Sequence, residues 1–260
     1  MKLMGVVNVT PDSFSDGGLY LDPERAIAHG EELARAGAAI LDVGGESTRP
    51  GAEEVGVEEE LRRVRPVIEA LAAGGPEISV DTSKRAVAAA ALDAGAAIVN
   101  DVTALRGDPE MATLCAERGA TVILMHMAGN PRTMQRNPIY DDVVEEVRAF
   151  LSARVEAAVE AGIAEERIWL DPGIGFGKTA EHNLELLRRL SELAELGRPL
   201  VVGASRKSFI GRLDGSGAGE RLGGSIASSV LAAAEGADVL RVHDVAEMAE
   251  AMKVAAAILG

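Results

Sequence analysis

Gly95-Ala-Ala-Ile-Val-Asn100 joins a glycine turn, a short apolar run and a terminal polar residue, and an amphipathic helical pattern from about Lys84 leads into it. The same unit recurs as Gly37-Ala-Ala-Ile-Leu-Asp42 after a helical pattern from about Pro23. It returns as Gly119-Ala-Thr-Val-Ile-Leu-Met-His126 after one from about Pro109, and as Gly236-Ala-Asp-Val-Leu-Arg241 after one from about Gly219. A glycine closing each helical pattern suits a left-handed C-cap. An apolar run without alternation suits a strand buried on both faces, the habit of parallel sheets. Four less regular strands fill the gaps, at Met4–Val9, Ile78–Val80, Ile168–Leu170 and Leu200–Val202. The remaining helices fall at about Val57–Ala73, Tyr140–Ala161, Glu181–Leu196 and Val245–Leu259. Eight strands alternating with eight helices over 260 residues predict an α/β fold, a (β/α)8 TIM barrel forming a single domain. A doubly wound open sheet is the alternative, and eight even units favour closure.

Composition excludes several classes of function. A hydrophobic content of 47% supplies a core, whereas aromatics at 3% leave few rings for stacking bases. The formal net charge of −15 argues against a phosphate-backbone partner, because nucleic acid needs a basic face. A small anionic substrate is compatible with it, provided a few cations converge locally. One cysteine, Cys115, excludes an internal disulfide and a thiolate metal cluster. The first residues lack the pattern of a signal peptide, and no apolar run reaches the roughly 18 residues of a membrane span. These features predict a soluble cytoplasmic protein without a membrane or nucleic-acid partner.

A barrel demands that catalytic residues lie where strands end. The ends read Asn8; Asp42 with Gly44-Gly-Glu-Ser-Thr-Arg-Pro-Gly51; Asp81; Asn100-Asp101; His126; Asp171; Ser205-Arg-Lys207; and Arg241 with His243. All eight are polar, while the turns at the other rim are bland. After Asn8, the stretch Asn8-Val-Thr-Pro-Asp-Ser-Phe-Ser-Asp-Gly-Gly18 is loop chemistry: either a long surface connection or part of a site. Asp81-Thr-Ser-Lys84 is either a site element or a helix start capped by Thr82 or Ser83, and Asn100-Asp101 has the same two readings. Asp171-Pro-Gly-Ile-Gly-Phe-Gly-Lys178 carries glycines for a close backbone approach, but Pro172 and Lys178 break the two nucleotide-binding patterns it superficially matches. Arg206 and Lys207 place two cations past a strand. Arg241 and His243, two residues apart, point to one face, where a charged pair needs either an internal salt bridge or a bound anion. His29 and His182 fall on helices, and His126 and His243 without carboxylates at ligand spacing do not make a zinc site.

The segments Asn8–Gly18, Gly44–Gly51, Ser79–Lys84, Val99–Asp101, Asp171–Lys178, Ser205–Gly211 and Arg241–Val245 resemble, in this order and spacing, the dihydropteroate synthase family, and the likeness spans essentially the whole chain. The stretch Leu213–Ser225 matches least well. The resemblance implies a transferase of folate biosynthesis that joins 6-hydroxymethyl-7,8-dihydropterin diphosphate to p-aminobenzoate, giving 7,8-dihydropteroate and diphosphate. It also implies Mg²⁺, a homodimer and sensitivity to sulfonamides. It assigns the pterin edge to Asp81, Asn100, Asp171 and Lys207, and the diphosphate to Asn8, Arg241 and His243, with the Asn8 amide on the metal. Asp16 stabilises the cation left when diphosphate departs, Thr48 and Arg49 help to enclose it, and p-aminobenzoate meets Thr48, Pro50, Phe176, Lys207 and Ser208. The first loop then serves as a lid that delivers Asp16. The competing readings are a pterin-binding methyltransferase barrel, a non-catalytic pterin-binding module and a phosphosugar isomerase.

Overall fold

The computed structural model describes residues 1–10, 23–48, 52–129, 133–135 and 137–259. Among these lie eight strands, every pair of them parallel, in the order β6-β5-β4-β3-β2-β1-β8-β7. The strands are β1 (Lys2–Asn8), β2 (Ile40–Gly44), β3 (Glu77–Asp81), β4 (Ile98–Asp101), β5 (Thr121–Met125), β6 (Ile168–Asp171), β7 (Val201–Val202) and β8 (Val239–Val242). Leu170 bridges to Leu200, and its N–H reaches Pro199 O at 2.9 Å, so β6 meets β7 and the barrel closes as expected. The glycines that end the repeated units, Gly37, Gly95, Gly119 and Gly236, have φ of +107, +108, +61 and +103°. That is the backbone their position at the helix exit asks for.

The period of two in each strand divides the interior from the shell. One set of positions meets the helices: Leu41, Val43, Val80, Val99, Leu124 and Leu240 join a core with helix residues such as Leu33, Ile68, Val87 and Leu151. The alternate set meets across the barrel axis, where Met4, Ile40, Ile98, Ile123, Val201 and Val239 form a separate cluster against Trp169. Lys2 lies 5.6 Å from the Trp169 ring at the lower rim. Two residues further along the same inward face the chemistry changes. Ile40 is followed by Asp42, Ile98 by Asn100, Trp169 by Asp171 and Val239 by Arg241. The barrel is therefore apolar below and polar above.

The helices depart from the expectation in number. Ten α-helices are described: α1 (Pro23–Arg35), α2 (Val57–Leu71), α3 (Arg85–Asp93), α4 (Met111–Arg118), α5 (Val143–Glu160), α6 (Ala180–Arg188), α7 (Leu190–Ala194), α8 (Ser208–Asp214), α9 (Leu222–Ala234) and α10 (Val245–Leu259). The helix expected over Glu181–Leu196 breaks at Arg189 (φ −114°, ψ 29°), whose guanidinium is drawn sideways to Asp142 and Glu192. Helix α5 starts at Val143 rather than Tyr140 because Asp142 caps it, accepting from Val144 N at 2.9 Å and Glu145 N at 3.2 Å. Helix α8 is an insertion between β7 and α9; left-handed Gly215 (φ +79°) ends it, and a 3-10 turn at Ala218–Glu220 follows. The poorly matched stretch Leu213–Ser225 runs from the end of α8 into α9.

Ile123→Ala in the axial cluster is expected to cost about 2–5 kcal/mol, the usual range for emptying a packed core site. A urea midpoint shift at unchanged m-value checks this.

Candidate active site

Register puts three of the expected residues on one level of the upper rim. Asn8 pairs with Gly44, Gly44 with Asp81, and Asp81 with Asn100, across β1, β2, β3 and β4. Arg241 enters this level from β8. Its Nε donates to Asp42 Oδ2 at 2.6 Å and its Nη2 to Asp81 Oδ2 at 2.9 Å. Asn100 Nδ2 also donates to Asp42 Oδ2, at 3.1 Å. The partner demanded by the Arg241 charge is thus an internal pair of carboxylates. Asp42 is fully buried and Asp81 nearly so. Burial opposes the Arg241 charge, but the two carboxylates outweigh it and raise its pKa further. Burial pushes Asp81 up to about 7, against the pull of Arg241, with Asp42 adding repulsion.

Asp171 ends β6, and its Oδ1 accepts the Gly173 N–H at 2.7 Å. Burial raises its pKa, while that N–H and the charges of Lys207, Arg241 and Lys178 oppose the rise. The loop that follows is held from inside by Lys178. Its buried Nζ donates to Gly173 O and Phe176 O, both at 3.0 Å, and lies 2.9 Å from His126 Nδ1. Burial lowers the Lys178 pKa to about 7, with Asp171 opposing. Burial, with the Lys178 charge beside it, lowers His126 to about 3. Gly173 has φ +67°, and a Cβ there would stand 2.0 Å from His126 O, so no other residue fits. Gly175 is fixed on both sides, its N–H bonding Asn183 Oδ1 at 2.7 Å and its carbonyl accepting from Gln135 Nε2 at 2.8 Å. The loop thereby presents Phe176, and Lys207 Nζ lies 4.1 Å from the centroid of its ring.

A cavity opens among these groups. Asp81, Asn100, Asp171, Lys207 and Arg241 form its polar wall, and Val102, Met125, Ile174 and Phe176 its apolar wall, with Thr48 and Gly203 completing the lining. A groove of about 560 Å³ lies elsewhere, between the start of α5 and α6, and is lined by residues such as Tyr140, His182 and Arg189. It lies outside the ring of strand ends, so the smaller cavity is the candidate by its chemistry.

His243 accepts from or donates to Ser205 Oγ through Nδ1 at 3.1 Å. Burial, followed by the charges of Arg241, Arg206 and Lys207, lowers its pKa to about 3, so it is a neutral ring rather than a second cation. Arg206, with φ +56°, turns away to pair with Asp244 and is not in the cavity. Ser208 is exposed at the first position of α8 and is not among the lining residues. Asp101 faces the other way from Asn100: it accepts from Thr103 N at 2.7 Å and Leu105 N at 2.9 Å, capping a loop in which Ala104 and Leu105 both have positive φ. Asp16, Arg49, Pro50 and the proposed lid over residues 11–18 lie outside the described residues.

Asp42 stood among the polar strand ends with no role or partner assigned, although a carboxylate buried on a strand demands a cation and Arg241 was at hand. Val102, Met125 and Ile174 carried no signal, being apolar residues like their neighbours.

The family profile described as "Pterin binding enzyme" matches residues 4–243. The dihydropteroate synthase of Escherichia coli K12 is 52% identical over 258 residues, covering 99% of this chain and 91% of its own length. The chain belongs to the dihydropteroate synthases. The crystal structure of the Yersinia pestis dihydropteroate synthase in complex with a sulfonamide drug superposes with a TM-score of 0.95 at 48% identity, covering 99% of this chain and 94% of that one. The Xanthomonas albilineans dihydropteroate synthase with 4-aminobenzoic acid gives 0.94 at 51% identity, with coverage of 100% and 93%. As a dihydropteroate synthase the chain is a transferase, and its barrel is that of the family.

Lys178 titrates near 7 in the folded chain and at about 10.4 when unfolded. Between those values the unfolded state binds more protons, so its contribution makes the protein more stable as pH rises from 7 to 10. Lys178→Met is expected to flatten that rise, as read from urea midpoints across the interval.

Proposed function

We propose that the cavity condenses 6-hydroxymethyl-7,8-dihydropterin diphosphate with p-aminobenzoate, and that its residues divide the work as follows. The observation that carries the reading is the buried acceptor set around Asp171, held by the Gly173 N–H with Asn100 and Lys207 in the same cavity. A pterin edge offers adjacent N–H donors and a carbonyl. Asp171 accepts two of those N–H groups, Asn100 and Asp81 complete the edge, and Lys207 donates to the ring carbonyl or a ring nitrogen. Such a site rejects analogues because its own buried polar groups would be left unpaired.

Arg241, Asn8 and neutral His243 take the diphosphate, His243 as a hydrogen-bond donor. A guanidinium has five N–H donors, and Asp42 and Asp81 engage it through Nε and Nη2. Clamped in this way, it meets the leaving group with its orientation already set. The buried polar level carries three carboxylates, Asp42, Asp81 and Asp171, against Arg241 and Lys207. Carboxylates in the cavity wall favour positive charge on the pterin methylene as the C–O bond breaks, and Asp16 adds to it. The aniline nitrogen of p-aminobenzoate then attacks from a pocket of Thr48, Pro50, Phe176 and Ser208, enclosed by Arg49, and loses its proton to solvent or to the departing diphosphate. Sulfonamides compete for this pocket.

Among the described residues no group of three or more His, Cys, Asp or Glu side chains could cage a metal. A Mg²⁺ would be held by the Asn8 amide oxygen, with substrate phosphates and water supplying the other ligands. When bound, the ion neutralises charge on the leaving diphosphate. A homodimer and a cytoplasmic location complete the proposal. Exposed Leu231, Val254 and Ile258 on α9 and α10 support an interface there. Among the described residues no helix is long and apolar enough to cross a membrane.

Mixing the protein with the pterin diphosphate, p-aminobenzoate and Mg²⁺ is expected to yield pteroate and diphosphate in equal amounts. Absence of pteroate at every Mg²⁺ concentration would refute the assignment. Chelation with EDTA should stop turnover and added Mg²⁺ restore it. Asp171→Asn should lower kcat/KM at least about a hundredfold, the scale for losing a charge-stabilising group, and near-normal activity would remove Asp171 from the mechanism.

A further inference from the structure

The loop that leaves β2 is cinched at its base by one side chain. Glu46 Oε1 accepts the Val55 N–H at 3.4 Å, so a single carboxylate ties residue 46 to residue 55. Its Oε2 accepts from Lys84 Nζ. That ammonium also donates to Glu60 Oε2 on α2, at 2.5 Å. Glu60 is fully buried, and Lys84 and Glu46 keep only 17% and 22% of their side-chain surface exposed. Burial works against the Lys84 charge, but the bonds to Glu46 and Glu60 outweigh it and its pKa rises. The same neck is fixed a second time by Arg63 on α2, whose Nη1 donates to Gly45 O at 2.8 Å. Gly45 leaves no slack, since a Cβ there would stand 2.7 Å from Val64 Cγ1.

Two members of this cluster neighbour a functional group along the chain. Lys84 lies three residues after Asp81 in the cavity, and Glu46 two residues before Thr48 in the same cavity. A buried charge cluster linking α2 and the end of β3 to the base of a loop is more than the loop's attachment requires. An uncharged contact would hold it without desolvating three ionised groups. What the charges add is a fixed geometry, because the ammonium must sit between both carboxylates at once.

We propose that Glu46, Lys84 and Glu60 are positioning residues that seat Thr48 against the pterin-side wall and so set the affinity of the amine pocket. The inference rests on Thr48 belonging to the p-aminobenzoate pocket. None of the three touches the reacting atoms. They act through the base of the loop, where a displacement on the order of 1 Å is enough to cost turnover.

The test uses the full-length enzyme with Glu46→Ala, Glu46→Gln, Thr48→Ala and the double variant Lys84→Met with Glu60→Gln, which removes the buried pair together. Thermal melts establish that each is folded. Pterin diphosphate binding is measured by calorimetry and p-aminobenzoate by steady-state kinetics. Glu46→Ala and the double variant should raise KM for p-aminobenzoate about tenfold or more, with pterin diphosphate Kd changed less than about twofold. Glu46→Gln, which keeps the acceptor for Val55 N–H, should fall between wild type and Glu46→Ala. Thr48→Ala should raise the same KM. If Thr48→Ala raises KM and folded Glu46→Ala does not, the positioning proposal fails while the pocket assignment stands. If Thr48→Ala leaves KM unchanged, the pocket assignment itself fails. Equal losses in pterin and amine binding would make the cluster merely structural and overturn the proposal.

Discussion

Arg241 reaches from β8 to Asp42 on β2 and Asp81 on β3, at 2.6 and 2.9 Å, inside a barrel whose lower half is closed by Met4, Ile40, Ile98, Ile123, Val201 and Val239. A charge in that position is tolerable only with its partners in place, and the partners equally need the charge. The three strands must therefore hold their mutual register to better than one residue. A shift by one would turn Asp42 or Asp81 to the helix side, among Leu41, Val43 and Val80. The apolar level below sets the same register independently through packing. Agreement between the two levels gives the barrel one closure rather than several near-equal ones.

Much of this was legible in the chain because the physics that made it is periodic. Four glycine-ended units announced buried parallel strands, and polar residues confined to strand ends announced which rim carries the site. Asn100, Asp171 and Arg241 were each visible as the polar residue that ends an apolar run. What the chain concealed depends on contacts between distant segments. Arg189 sits in an unbroken helical pattern, and only its pull toward Asp142 and Glu192 breaks the helix. The charge of His243 could not be read from its identity, because burial and its cationic neighbours decide it. Lys178 ended a loop motif that resembled a phosphate site. Its ammonium instead turns inward onto the carbonyls of Gly173 and Phe176, which no spacing rule conveys.

The loop from Asp171 to Lys178 illustrates how a segment without regular structure becomes a rigid wall. Its backbone carbonyls would be costly to bury alone. Lys178 Nζ satisfies those of Gly173 and Phe176, Gln135 Nε2 that of Gly175 and Tyr140 Oη that of Gly177, the last two at 2.8 and 2.7 Å. The donors come from three different places in the chain, so the loop cannot relax without disturbing the start of α5 or the turn around His126. Rigidity here matters because Asp171 and Phe176 stand at the two ends of the loop's working surface, one polar and one apolar. In the proposed reaction, a pterin gripped at its edge and an amine beside the ring would need those two residues at a constant separation.

The acids around Arg241 bear on the proposed binding of diphosphate there. Asp42 and Asp81 lower the net charge around Arg241, so in the proposed reaction it would grip diphosphate less tightly than a bare guanidinium. An enzyme gains nothing from holding the leaving group tightly in the ground state. In the proposed mechanism the carboxylates offset their desolvation when the pterin becomes cationic, a charge that exists only as the C–O bond breaks. Burial and the charges of Arg241, Arg206 and Lys207 disfavour a second full cation at His243. In the proposed reaction the site is balanced toward the dissociated state, with Arg241 orienting the departing anion and the acids around it facing what remains.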